Sequence, residues 1–489
     1  MAAPKVFSAK CPTCGANLPV PPGVPQVVCR YCQNVIHVEH RKPPPEVRPF
    51  GAPGAVPSRT LYVDPEAAAR AGRNIGCFIL VVVLVPLLIP FLIWLGPRTV
   101  RAIKPFPVAC GTNETVEVSG NFETAGPIVK SVGVNCKLHI KDSKLKGSSL
   151  LPAGNSNLEL TLENVTIETT DVMVHSGSNV KVKAIDSTLT SAATVFEGES
   201  NMQLDVERTT IESKGNIAIK AKNNLKLRMD GGKVRGKKAG IDADANFTLT
   251  MKKGSEISSS DGAAVKTESS FKLDAEGGKI DGGLVVTSGA DIAATGVTLT
   301  SKDKAISASS SLKVEWTEGS ITSLADTAID GDSSMKLTLV GTKVQGATNA
   351  IDCQSSSTIN ASKKTRIVGL QGNGVTTSSS TEVVLSDAAI EAGAKAFKGT
   401  SNDKIQLGQG SRMAGKRGGI EVEGNLSVEA TGATLEGGSG PALDAGYNAR
   451  VSFKSGVIKG VPALTFDRKP MSLELDGTRV EGEQRVPAR

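Results

Sequence analysis

One apolar column runs through most of this 489-residue chain: Phe122, Leu145, Ile167, Leu189, Ile211, Val234, Ile257, Ile280, Leu299, Ile321, Val344, Ile367, Ile390, Met413, Leu435, Ile458 and Val480. Every step is 22 or 23 residues except Ile280 to Leu299, which is 19. A period held this long means one small structural unit per repeat, each able to bury its apolar face only against its neighbours. About eight residues after each member comes a small residue followed by an aliphatic or Phe, as in Ala218-Ile219, Gly240-Ile241, Ala350-Ile351 and Ala442-Leu443. Ahead of the column lie alternating sets such as Leu158-Leu160-Leu162 and Leu312-Val314-Trp316. Alternation with period two signals strands, and Gly, Ser, Asn and Asp in the gaps supply turns. Two or three short strands per coil of this length predict a parallel β-helix. About 17 coils at about 4.8 Å each give a rod of about 80 Å.

Other repeats of similar length fit less well. The L-x-x-L-x-L pattern of leucine-rich repeats is absent, and hexapeptide units do not divide a 22–23 period. The repeats over 112–489 resemble the right-handed parallel β-helix of the pectin-lyase-like superfamily. That resemblance implies a mainly β fold and admits carbohydrate-active members, in which acids, a Lys or Arg and sometimes a His share one long face. His139 and His175 are the only histidines in the repeats, and neither belongs to a recognisable motif. With 3% aromatic residues, the chain lacks platforms for stacking sugars or bases. Trp316 continues the set begun by Leu312 and Val314, which places it in the core.

The net charge of +7 is unevenly spread. Residues 1–105 hold twelve Lys or Arg against four acids, net +8, which leaves −1 for 106–489. The repeats therefore carry no net positive field toward nucleic acid.

Ahead of the repeats stand three further segments. Residues 1–42 contain Cys11-Pro-Thr-Cys14 and Cys29-Arg-Tyr-Cys32, a C-x2-C-x14-C-x2-C spacing. Four thiolates so placed suit a closed tetrahedral Zn²⁺ site that stabilises a segment too short for a core of its own. A pair of disulfides or a redox dithiol is the alternative. The segment resembles the zinc ribbon family, which implies Cys11, Cys14, Cys29 and Cys32 as ligands and a protein or nucleic-acid contact. It departs from the family in having Gln33 where a Gly usually follows the last Cys. His37 and His40 read as bystanders. Residues 43–74 form a Pro/Gly-rich, basic linker. Ile75–Leu95 is uncharged over 21 residues, enough for one bilayer crossing, with Trp94 at its far edge. Residues 96–111 read as a second linker.

Nine Lys or Arg precede the apolar run and three follow it closely, which favours a cytoplasmic N terminus in a single-pass protein of a bacterial inner membrane. A thiolate zinc site also belongs in a reducing compartment. Cys110 and Cys136 lie about one coil apart; whether they bond is left open, and Cys353 has no evident partner.

The residue after the second column is often charged. Glu197, Lys220, Asp242 and Lys266 alternate in sign, an arrangement that lets neighbouring rungs pair. Asp330 beside Asp352, with Asp332 nearby, and Glu421 with Asp444 and Asp467 instead bring like charges together. Such acids form a candidate patch for a cation such as Ca²⁺ or for a ligand. No catalytic set is evident. The expectation is a membrane-anchored, non-catalytic binding or structural protein. Its β-helix faces envelope polysaccharide or protein outside the membrane, its zinc ribbon contacts a cytoplasmic protein, and nucleic acid is not a partner of the β-helix. The alternatives are a membrane-tethered polysaccharide lyase or hydrolase, and a cytoskeletal scaffold like the bactofilins.

Overall fold

The structure is a computed structural model that describes residues 106–488, together with the backbone of four short strands nearer the N terminus. The chain divides into two compact units, Met1–Arg98 and Thr99–Arg489. In the first, Phe7–Lys10 pairs antiparallel with Asn17–Val20, and Gln26–Val28 pairs antiparallel with Val35–His37. Cys11, Cys14, Cys29 and Cys32 lie outside the described residues, as do the 43–74 linker and the apolar run 75–95. Among the described residues no helix is long and apolar enough to cross a membrane.

The second unit is a mainly β, parallel solenoid of about 17 coils. Each member of the apolar spine stands opposite the next in parallel register, from Phe122 against Leu145 to Ile458 against Val480. The short step obeys the same rule, with Ile280 opposite Leu299 and Leu299 opposite Ile321. Its missing residues come out of a turn, because Ile257 precedes Val265 by eight positions whereas Ile280 precedes Leu284 by four. A solenoid tolerates such a loss where the chain crosses between strands, since the strand registers on both sides are untouched.

Between Leu145 and Ile458 every spine side chain is at most 3% exposed. The second column stacks likewise, through Phe196, Ile219, Ile241, Val265, Leu284 and on to Leu464. Trp316 is fully buried, as expected, and Phe247 packs on Phe271 with ring centroids 5.3 Å apart. Like side chains stacked at one inter-strand spacing bury continuously, so stability accrues from coil-to-coil interfaces.

Two corners per coil use the left-handed backbone region. One lies at Asn135 and Asn157, ahead of a strand, and at Asn179, Asn201, Asn224 and Asn246, where it bends a longer strand. Here Asn side chains also form a ladder: Asn179 Nδ2 donates to Asn157 Oδ1, and Asn201 and Asn224 continue it at 2.9 Å per step, while Asn135 Nδ2 donates to Asn113 Oδ1 at 2.8 Å. Asn suits the position because it tolerates positive φ and its amide has both a donor and an acceptor along the stacking axis. The ladder gives way to Ser270, Gly289, Ser311 and Ser334 in the middle coils, then resumes through Asn402, Asn425 and Asn448. The other corner bends the chain ahead of the spine residue, at Asp142 and Asn164 within long strands and at Asp186, Arg208 and Gly231, with φ +69°, between strands.

Sheet pairing begins ahead of residue 112. Val108–Cys110, within the stretch read above as a linker, pairs in parallel with Val129–Val132. Cys110 and Cys136, left open by the sequence, form a disulfide across this first coil. Phe106 stacks on Phe122 beside it, with ring centroids 5.7 Å apart. Cys353 is a free, buried thiol.

Candidate functional site

The charged column after the second apolar column is one outward row of the solenoid. Its order is His175, Glu197, Lys220, Asp242, Lys266, Val285, Ser307, Asp330, Asp352, Thr376, Lys398, Glu421, Asp444 and Thr465. In its first part, opposite charges meet on adjacent rungs. Glu197 accepts from His175 Nδ1 and from Lys220 Nζ, each at 3.2 Å. Burial opposes ionisation of Glu197, but these two donors hold its carboxyl below the usual range. The other histidine, His139, pairs with Glu163 at 3.1 Å. Both histidines are thus bound into cross-rung pairs.

The like-charged part differs from expectation in one member. Asp444 stands opposite Thr465, so Asp467 falls two residues outside the row and is exposed. Counting from the repeat placed it two residues too far, because the turn between Ile458 and Leu464 is two residues shorter than that between Leu435 and Leu443. Asp467 still acts on the row. After burial, its charge is the next cause that raises the Asp444 carboxyl above the usual range. Glu421 and Asp444 are register neighbours, and Lys395 forms an ion pair with Glu421.

Asp330 and Asp352 are also register neighbours. Lys304 lies against Asp330, and a hydrogen bond to that carboxylate raises the Lys304 pKa. Asp352 is half-buried; burial first, then the Asp330 charge, push its carboxyl up, while Asn349 donates to it at 3.4 Å. Asp332 is exposed and accepts from Gln354 at 3.2 Å. Lys304 and Lys395 thus lie beside the acids whose like charges suggested a cation. Among the described residues no three His, Cys, Asp or Glu side chains gather as a metal site.

Three features escaped the sequence reading. The Asn ladder is one, although its 22–23 residue spacing from Asn135 to Asn246 is visible in the sequence. Another is a polar stretch inside the tube. Thr377 and Thr381 share a 2.5 Å hydrogen bond, Cys353 Sγ lies 3.9 Å from the Thr381 hydroxyl, and the Thr381 N–H donates to Asp403 Oδ1 at 3.0 Å. Asp403 is 2% exposed, and its other carboxylate oxygen has no partner. Burial raises its pKa to about 6.

The last is a groove along the Asn/Ser corner. Two adjoining depressions of about 790 and 220 Å³ share Asn201, Asn224 and Lys226. Their rim follows the row Lys181, Gln203, Lys226, Thr248, Lys272, Asp291, Lys313 and Lys336. The larger depression lies where Asn in the ladder is replaced by Ser270, Gly289, Ser311 and Ser334 and where inward Phe gives way to Ala290. Small corner residues leave the space that asparagine amides fill elsewhere. No protein family, curated protein or solved structure was found to match the chain.

Proposed function

We propose that the chain is a single-pass membrane protein of a bacterial inner membrane that displays its solenoid outside the cytoplasm as a non-catalytic binding or structural rod. In this reading a zinc ribbon at the other end contacts a cytoplasmic protein. The coils follow the right-handed path of the pectin-lyase-like fold. Cys11, Cys14, Cys29 and Cys32 hold one structural Zn²⁺, and 75–95 crosses the bilayer. The partner outside is an envelope polymer or protein.

The observation that carries the reading is the contrast between cysteines on the two sides of the apolar run. The Cys110–Cys136 disulfide lies just after it, and disulfides persist in oxidising compartments, whereas paired C-x-x-C thiolates ahead of it suit a reducing one. Two antiparallel hairpins, each with a C-x-x-C between its strands in sequence, are the arrangement a zinc ribbon needs. The solenoid supports a binding role because its histidines and most column acids are engaged in neighbouring pairs.

Labelling of an introduced cysteine tests the topology. Ser439→Cys, on an exposed turn, is expected to react with a membrane-impermeant maleimide on intact cells, whereas Cys11–Cys32 react only after permeabilisation and zinc removal. Labelling of Ser439→Cys only after permeabilisation would overturn the orientation. Elemental analysis of the purified chain is expected to give one zinc, lost on Cys29→Ser.

A further inference from the structure

We infer that the groove bordered by Lys181, Lys226, Lys272 and Lys336 binds an extended acidic peptide segment of a partner protein, laid parallel to the solenoid axis. The inference deepens the reading of the solenoid as a binding rod and rests on it. Lys137, Lys181, Lys226, Lys272 and Lys313 occupy alternate coils of one outward row. Alternate coils place these lysines about 9.6 Å apart along the axis. Lys137 and Lys313 are paired with Glu159 and with Asp291 and Glu315. Lys181, Lys226, Lys272 and Lys336 have no carboxylate within 4 Å among the described residues. All four are exposed, and all four border the depressions. Four exposed cations with no contacting carboxylate thus border one groove, and their charge is open to a partner from outside.

Spacing and chemistry select the occupant. A polyproline II segment advances about 9.3 Å per three-residue turn, so an acid at every third position keeps step with Lys181, Lys226 and Lys272 to within about 1 Å, while Lys336 lies three coils beyond Lys272, between two such positions. The groove has no exposed aromatic ring, because Phe247 and Phe271 point inward, so bases find no stacking surface. Ladder amides at Asn179, Asn201 and Asn224 donate to and accept from each other, which leaves few directed groups for sugar hydroxyls. Lysine ammoniums are point charges without the fork that reads a carboxylate in one orientation, so recognition rests on charge spacing. A peptide with a preformed extended backbone loses the least entropy on being laid there.

Fluorescence anisotropy with the full chain in detergent tests the assignment. The probe is a labelled (Glu-Pro-Pro)8 peptide, against a control of equal composition in which the glutamates are clustered. Binding of the regular peptide is expected, weakening as salt rises, with the clustered control bound several-fold more weakly. Lys226→Glu combined with Lys272→Glu should weaken binding about tenfold or more without changing the melting temperature, since both side chains are exposed. Equal binding of the two peptides, or binding unaffected by the double substitution, would overturn the inference. So would tighter binding of a polyuronate or a single-stranded oligonucleotide of the same charge. Any of these results leaves the membrane topology and the binding-rod reading standing, since those are read by the labelling experiment.

Discussion

Two stretches of the same tube solve the problem of the interior differently. Around Phe247, Phe271 and Trp316 the inside is apolar and aromatic, with side chains that are at most 2% exposed and one buried polar atom, Trp316 Nε1, without a partner. Around Cys353, Thr377, Thr381 and Asp403 the same inward positions are polar, and they satisfy one another through hydroxyls, a thiol and a backbone N–H. The first stretch draws its stability from burial and dispersion. The second depends on complete pairing, and it is incomplete, since one Asp403 oxygen is left without a partner. A repeat architecture can carry such a local deficit because the neighbouring coil interfaces hold the stack together.

Substitutions separate the two regimes. Phe271→Ala in the apolar stretch is expected to cost about 4 kcal/mol, read by denaturant unfolding, because it removes a large buried ring and leaves a cavity. A cost below about 1 kcal/mol would show that this stretch is not tightly packed. Asp403→Asn acts in the opposite direction. The folded state holds the Asp403 proton up to about pH 6 whereas an unfolded aspartate loses it near the ordinary value of 3.8. The native chain therefore binds more protons between these limits, and stability falls as pH rises through that window and stays lower above it. Removing the charge is expected to give about 3 kcal/mol at pH 7, from a shift of about two units, and nothing at pH 3. Equal stability of the two proteins at pH 7 would contradict the buried, unpaired carboxylate.

Cross-linking of the first coil ranks next. Cys110→Ser is expected to lower stability by about 3 kcal/mol, seen as early loss of hydrogen-exchange protection in Val108–Ile140, with the later coils unaffected. At the small end lies the surface. Arg208 donates to Asp186 through Nε at 2.6 Å and Nη2 at 2.8 Å, yet the pair is solvent-exposed. Arg208→Gln should leave the melting temperature unchanged, and a large drop would show that surface pairs, rather than the interior, hold the coils.

Much of the fold was legible in the sequence because the interior is written in a regular code. The spine residues from Phe122 to Val480 stand in register as their spacing implies, since a residue that must stack on its equivalent cannot drift without exposing the whole column. The sign alternation at Glu197, Lys220, Asp242 and Lys266 was legible for the same reason. Placing Asp467 in the row failed because turns vary in length while strands do not, and an outward residue after a turn inherits that variation. The lysine groove was hidden because it depends on which corner side chains are small, a property of Gly289 and Ala290 that has no periodic signature. The Asp403 deficit was hidden because an aspartate after a Ser-Asn turn reads as surface until its register with Thr381 is known. The cysteine motifs lie outside the described residues.

Cryo-electron microscopy of the purified full chain tests the central claim most directly. Residues 108–485 should appear as a straight stack of about 17 rungs at about 4.8 Å, roughly 80 Å from end to end, with Ile280 and Leu299 on adjacent rungs of one internal row. Helices in this region, or strands paired antiparallel within a compact body, would contradict it.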